Sequence, residues 1–419
     1  FDPAPYRTQT NVCSWGVTPD RDFGPTLSVC LRFTAANALI DPGIYTLHSN
    51  VRIPPISGVM LATRGFENRP AHRYCAPDGS SGCAILRASH YNLAGPLLQV
   101  DVSWEQPSVG FKIESVVFDG NIDVRRAGGR SAYWNDNFGK TSRRNEQSNV
   151  IVQNCNSCSF TGMVSVNAVA ASGFIFSGAD GLFDHTLFQG NGNGLNKAPN
   201  FGEWADGLTV VSGPRVRIQS SVFRDNSDIN LIVAGAAGGQ IVNNYIESNT
   251  NFAFAGLMLD NFDISANSDM QGINVEANTI NCNLMCGIGL NIGPYIWYWL
   301  EFSNGTQNGG STQLAMINGA GGNVRGNTIL RARQGLGVYG AFGFSIYGNQ
   351  IQESGGFSFN GRQLTSAFDM DDSSRFYGAL DYARQGIPTN GVLINNLPIN
   401  TANGVPTRDI NAMMFATKP

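Results

Sequence analysis

"VRGNTI" (324–329) returns as "IYGNQI" (346–351), with Asn327 and Asn349 in the same place and 22 residues apart. The pattern apolar-x-x-Asn-x-apolar also runs through "IVNNYI" (241–246) and "VEANTI" (275–280). "IQSSVF" (218–223) and "FDHTLF" (183–188) fit it with Ser221 and Thr186 in place of the asparagine, and "IESVVFDGN" (113–121) is a looser relative. Several copies follow another strand-like run, such as "GLTVVSG", "INLIVAG", "AGLMLD", "CGIGLNIG" and "GLGVYG". A unit of that length, with three short strands and no helical period, reads as one coil of a right-handed parallel β-helix. Such a coil cannot bury its apolar face alone, so coils must stack. The asparagine suits a tight turn between two sheets, because its side chain bonds its own neighbourhood and it tolerates left-handed φ. Stacked copies then form a ladder. An antiparallel β-sandwich would show turn signals about every 8–12 residues without such a unit.

The expected fold is therefore all-β: a single-stranded solenoid with an N-terminal capping helix and long loops on one face. "PTLSVCLRFTAANAL" (25–39) has helical apolar spacing, and a terminal coil needs a cap. We read residues 1–419 as a single domain, with a cap over 1–45, coils over 46–355 and a C-terminal tail or cap over 356–419. "SSRFYGALDYARQG" in that tail has a helical look.

Composition narrows the function. Hydrophobic residues make up 42% of the 419, charged residues only 14%, and the net charge is −4. No basic field is available to neutralise phosphates, so nucleic acid is not the expected partner. No apolar run of about 20 residues is present to span a membrane. The eight cysteines fall into near neighbours: Cys13 with Cys30, Cys75 with Cys83, Cys155 with Cys158, and Cys282 with Cys286. Four local disulfides are the simplest pairing, and they suit an oxidising compartment. The expected location is secreted, extracellular or periplasmic. A chain of that kind would have lost its signal, since no basic leader with an apolar core is present.

Insertions in a solenoid collect on one face, often the binding face. The long ones here span 121–148, 189–205, 261–272 and 291–320. The last holds "NIGPYIWYWLEF", with Tyr295, Trp297 and Trp299 close together. Aromatic rings offer sugars a large apolar face at low entropic cost, and Trp204 and Trp134 extend the set of candidate platforms.

"ADGLTVVSG" and "SDINLIVAG" align so that Asp206 and Asp228 are separated by the same interval as Asn327 and Asn349. On successive coils they begin neighbouring strands, which stack about 4.8 Å apart. Like charges that close split their pKa values, and a split carboxyl pair is what acid/base glycoside hydrolysis uses. Asp225 and Glu203 are close enough in sequence to assist.

These residues carry a resemblance. Residues 25–65 are similar to the opening of pectate-lyase-like β-helix enzymes, with a capping helix followed by a Pro-Gly-x-Tyr strand. Residues 205–246 resemble the centre of polygalacturonase-type glycoside hydrolases. "ADG" (205–207) matches that family's Asn-Thr-Asp-Gly, and "SD" (227–228) matches its Asp-Asp before the next strand. The resemblance implies Asp206 and Asp228 as catalytic carboxylates. Ser227 stands at the family's acid, and "FAG" (254–256) at its Gly-His-Gly. The expectation is a secreted enzyme cleaving glycosidic bonds in a polysaccharide or oligosaccharide, most simply a glycoside hydrolase.

Two rivals remain. A polysaccharide lyase or uronan epimerase would need a neutralised uronate, and Arg125, Arg126, Arg130, Lys140, Arg143 and Arg144 could bind an anionic chain. A non-catalytic glycan-binding β-helix, such as an adhesin or tailspike, is the other. No cofactor is expected. Calcium is the one candidate, at "DMDD" (369–372) or "DNSD" (225–228), which lack EF-hand spacing. The solenoid fits a monomer or a homotrimer.

Overall fold

A computed structural model of the chain describes residues 11–401, apart from 19–20, 68–72, 91–95, 102, 104, 126–146, 193–203, 261–268, 294–320, 339–343, 355–356, 360–361, 365–367, 371–392 and 396–398. The chain forms two compact units: residues 1–209 with 217–228, and residues 210–216 with 229–419. Each is a stack of coils contributing one strand to each of three parallel sheets. The fold is a right-handed parallel β-helix, the hand that crossovers between parallel strands take.

In the first unit one coil runs Leu182–Asp184, Leu187–Gln189, Ala205–Ser212. The next begins Arg217–Gln219, Val222–Arg224. Register is in step: Phe183 pairs with Ile218, and Phe188 with Phe223. The strands of the first two sheets are short, with one central residue facing the core. That is why the sequence shows isolated apolar positions rather than long alternation. Phe160, Phe174, Phe183, Phe188 and Phe223 are fully buried and stack through the interior. Burying each stabilises by about 2–3 kcal/mol.

The second unit is built on aliphatic stacks. Ile246, Ile280, Ile329 and Ile351 pair in one column, and Ile241, Val275, Val324 and Ile346 in another. The expected ladder is here. Asn244, Asn278, Asn327 and Asn349 bond side chain to side chain at 2.8–2.9 Å. The Oδ1 atoms of Asn278, Asn327 and Asn349 also accept the preceding asparagine's backbone N–H at 3.0 Å. Gly256 and Gly289 lie where the third sheet closes on the second: a Cβ on Gly256 would sit 2.6 Å from Ile280 Cγ2, and one on Gly289 would press on Ile329.

The capping helix spans Phe23–Phe33 rather than 25–39. Asp22 starts it, accepting from the Gly24 N–H, and the Thr34 hydroxyl closes it by bonding back to the Cys30 carbonyl. Asn37–Ile40 is instead a strand, claimed by pairing with Met60–Thr63. Beyond residue 355 the sequence repeat fades, yet strands still pair: Phe368–Met370 with Gln334–Val338, Leu393–Asn395 with Ser345–Tyr347, and Ile399–Thr401 with Gln350–Ser354. The helical-looking stretch at 373–386 lies outside the described residues. All four disulfides form as the near neighbours suggest. Cys13 bonds Cys30 beside the cap, and Cys75 bonds Cys83. Cys155 bonds Cys158, and Cys282 bonds Cys286. Among the described residues no helix is long and apolar enough to cross a membrane.

Candidate functional site

The turn ahead of Asp228 is built from buried polar side chains. Asn191 Nδ2 donates to Asn226 Oδ1 at 2.8 Å, and Asn226 Nδ2 donates to the Phe188 carbonyl at 3.1 Å. Ser227 N–H donates to the Asn191 carbonyl at 2.9 Å, and its hydroxyl oxygen accepts the Ala205 N–H at 3.2 Å. With the turn held this way, Asp228 N–H reaches the Ala205 carbonyl at 3.2 Å.

That bond sets the register. In this ladder a residue's N–H bonds the carbonyl one position before its partner. Leu98 N–H, for example, bonds the Asn149 carbonyl while Leu98 pairs with Val150. By the same offset Asp228 is the partner of Asp206. On the other side, Ala171 N–H bonds the Trp204 carbonyl at 3.0 Å, so Ser172 is also a partner of Asp206. Ser172, Asp206 and Asp228 thus form one column across neighbouring strands, spaced about 4.8 Å apart. The aligned pair expected from the sequence is present in the backbone.

The strand Ala205–Ser212 is not straight. Thr209 Oγ1 donates to Asp206 Oδ2 at 2.7 Å, although residues three apart in a regular strand face opposite sides. The chain must depart from regular strand geometry between them. Leu208 and Val210 are fully buried in the core, whereas Asp206 and Thr209 each keep 8% exposure. The side chains of Asp206, Thr209 and Ser172 come together as a polar group. Ser172 Oγ lies 2.5 Å from Thr209 Oγ1, and Asp228 retains 7% exposure.

Asp225 has a different setting. It adopts φ 55° in the turn after Val222–Arg224 and is half-buried. Gly190 N–H bonds the Arg224 carbonyl, which stacks Asp225 on Gly190, itself at φ 64°. The turn accounts for an acidic residue there, because Asp tolerates left-handed φ. Trp204 is half-buried directly before Ala205. Glu203, Trp134, Tyr295, Trp297 and Trp299 lie outside the described residues.

Of the basic cluster only Arg125 is described. It is 1% exposed, so it is a core guanidinium rather than part of a basic surface. His185 occupies a left-handed turn (φ 49°) in register with Ser220, as its N–H bond to the Gln219 carbonyl requires. Its Nδ1 lies 2.8 Å from Asp184 Oδ1. Among the described residues no group of three or more His, Cys, Asp or Glu side chains is placed to hold a metal ion.

Sequence reading missed Thr209, Ser172, Asn191 and Asn226. Thr209 did leave a signal, as the one polar residue inside "GLTVV". Its link to Asp206 depends on that departure from regular geometry, which "DGL" alone does not announce.

No family model matches the chain, and no curated protein matches it. Solved structures do. The tailspike protein of E. coli bacteriophage HK620, in complex with a pentasaccharide, is 13% identical with TM-score 0.56; the match covers 93% of this chain and 61% of the tailspike's. Endo-xylogalacturonan hydrolase from Aspergillus tubingensis is 11% identical with TM-score 0.54, over 96% of this chain and 97% of the hydrolase's. The chain therefore spans about three fifths of the tailspike it matches. At these identities the likeness is one of fold: both are β-helix proteins, as this chain is.

Proposed function

We propose that this chain is a secreted or periplasmic glycoside hydrolase that cleaves a polysaccharide or oligosaccharide, with Asp206 and Asp228 as its catalytic carboxylates. The observation that carries this reading is their register. Two carboxylates occupy facing positions on adjacent strands, both largely buried. Aspartates are mostly exposed in folded proteins, so two buried in register are unusual. An in-register pair is costly to hold ionised, and a pair sharing one proton can give that proton to a leaving oxygen while activating water.

The named activity of the A. tubingensis neighbour and the pentasaccharide held by the tailspike support a glycan as the substrate class. Four disulfides support an oxidising location. Trp204 is the described aromatic residue nearest in sequence to the pair, and we assign it to sugar stacking. Trp134, Tyr295, Trp297 and Trp299 are proposed for the same role.

The test is a panel of neutral and acidic polysaccharides with product analysis by mass. Hydrolysis adds one water per cut. Elimination adds none and leaves an ultraviolet-absorbing product, and epimerisation leaves the chain intact. D206N and D228N should each lower turnover by about 100-fold or more with the circular dichroism spectrum unchanged. Full turnover in either variant rules out the assignment. Tight binding with no product from any substrate makes the protein a glycan-binding β-helix instead.

A further inference from the structure

Earlier coils of the first unit bring together a second set of reactive side chains. We propose that Ser89 and His48 form a nucleophile and base that hydrolyse short acyl esters, with the Asn121 amide holding the oxyanion. This activity is separate from the cleavage of glycosidic bonds and does not depend on it.

The three residues follow neighbouring strands of the second sheet and stand in register. Leu47 pairs with Ala88, and Asp119 with Arg87. Continued past the strand ends, His48 faces Ser89 and Ser89 faces Asn121. The Ser89 N–H bond to the Leu47 carbonyl at 3.0 Å fits that register. Neighbouring strands lie about 4.8 Å apart, and the serine occupies the middle one. His48 Nδ1 lies 2.7 Å from Ser89 Oγ, close enough for a base to take a nucleophile's proton. On the other side, Asn121 Nδ2 donates one hydrogen to the Ala88 carbonyl at 2.8 Å. A side-chain amide carries two. Among the described residues the second has no acceptor, and it can serve an oxygen that turns anionic beside Ser89.

Both flanking residues are held from behind. Asp22 Oδ1 accepts the His48 N–H at 2.9 Å, and its Oδ2 accepts from the Ser49 hydroxyl at 2.6 Å. The carboxylate that caps the helix therefore also fixes the backbone of the base. Asp119 Oδ1 accepts the Asn121 N–H at 2.9 Å, in a turn where Asn121 adopts φ 48°. Asp119 receives Arg87 Nε at 2.7 Å and Asn167 Nδ2 at 2.9 Å in turn. Groups fixed in advance need no reordering as charge develops. Ser89 is 7% exposed, while His48 and Asn121 are half-buried. A small acyl group can reach the serine while a larger alcohol stays outside, so the substrate class is a short acyl ester such as an acetate.

The chemistry balances. The neutral imidazole carries its hydrogen on Nε2, so Nδ1 is free to accept. Ser89 Oγ bonds the acyl carbon as its proton passes to His48 Nδ1. The bond from that carbon to the alcohol oxygen breaks, and the leaving oxygen takes the proton from His48. Water then bonds the acyl carbon and gives a proton to His48. The bond to Ser89 Oγ breaks, and His48 returns that proton to the serine. One ester and one water become one acid and one alcohol.

The test treats the whole oxidised chain with phenylmethylsulfonyl fluoride and maps the adduct by peptide mass. In parallel, p-nitrophenyl acetate is followed over many turnovers. The adduct should sit on Ser89, and S89A should hydrolyse the ester no faster than buffer. H48N should lose both the adduct and at least about 100-fold in turnover. N121G keeps the left-handed turn but removes the amide, and should lose about 100-fold in turnover. No adduct on Ser89 in the wild type overturns the proposal, as does wild-type turnover in S89A or H48N. Wild-type turnover in N121G overturns the oxyanion role. Should H48N fail to fold, the wild-type adduct and S89A still decide.

Discussion

The same turn is built in two chemistries. In the second unit asparagine fills it at 244, 278, 327 and 349, and in the first unit Thr186 and Ser221 do. Both schemes satisfy the buried backbone: Thr186 N–H donates to Ser221 Oγ at 3.1 Å, as Asn278 N–H donates to Asn327 Oδ1 at 3.0 Å. They differ in how far they can run. An asparagine amide has two N–H donors and a carbonyl. Asn327 gives one hydrogen to Asn349 Oδ1 and the other to the Val275 carbonyl, while receiving from Asn278. It can extend the ladder and tie down a strand at once. A hydroxyl has one proton. Thr186 spends its own on Ser221, and Ser221 returns its own to the Gln219 carbonyl. The interiors differ in parallel, with phenylalanine stacked in the first unit and isoleucine or valine in the second. A repeat therefore conserves a bonding role and an inward volume rather than a residue.

Substitutions probe this contrast, with urea unfolding at constant m as the measure. Phe183→Ala should cost the most, about 4 kcal/mol, since its ring contacts Phe160, Phe174, Phe176 and Phe188. A loss below that of Ile280→Val, which should be about 1 kcal/mol, would show that the aromatic stack is not the first unit's main support. Asn327→Ala should cost about 3 kcal/mol, because buried donors on Asn278 lose their acceptor. Ser221→Ala should cost about 1.5 kcal/mol, since the Thr186 N–H and O–H lose their acceptor. Equal losses at Asn327 and Ser221 would remove the distinction between the two ladders.

The smallest effect belongs to the cap. Asp22→Ala should cost about 1 kcal/mol, as N-cap losses do. Burial pushes the Asp22 carboxyl up, but the Ser49 hydroxyl and the N–H groups of Gly24, His48 and Ser49 together outweigh it and hold the carboxyl below its ordinary 3.8. The folded value is the lower one, so the stabilisation is complete above the unfolded value. It fades as pH falls through the folded one. Wild type and D22A should converge in stability once the pH has fallen through the folded value, and a gap that persists there would mean the cap does not work through the carboxylate.

Much of the fold was legible in the chain, for identifiable reasons. Each strand turns one residue inward, so Ile246, Ile280, Ile329 and Ile351 recur at the coil's own period, and the asparagine two positions earlier keeps step. The disulfides were legible because both cysteines of each pair, such as Cys155 and Cys158 or Cys282 and Cys286, stand close together in the chain. The helix end at Thr34 was not, because "TAANAL" satisfies helical spacing equally well until strand pairing claims Asn37–Ile40. The pairing beyond residue 355 was hidden for the opposite reason: the strands persist while the motif that marks them does not.

The carboxylate pair divides along the same line. Residue order alone makes Asp206 and Asp228 the leaders of equivalent strands, since the coil period places them at equal points of successive coils. Residue order does not make Asp206 the acceptor of a hydroxyl from Thr209, nor does it stand Ser172, 37 residues from Thr209 in the chain, behind that hydroxyl. Those contacts came from the folded coils. Period is a property of the chain and survives in the order of its residues. Contact at an irregular strand depends on the path of the backbone and on which strand lies alongside, and those follow from packing between coils.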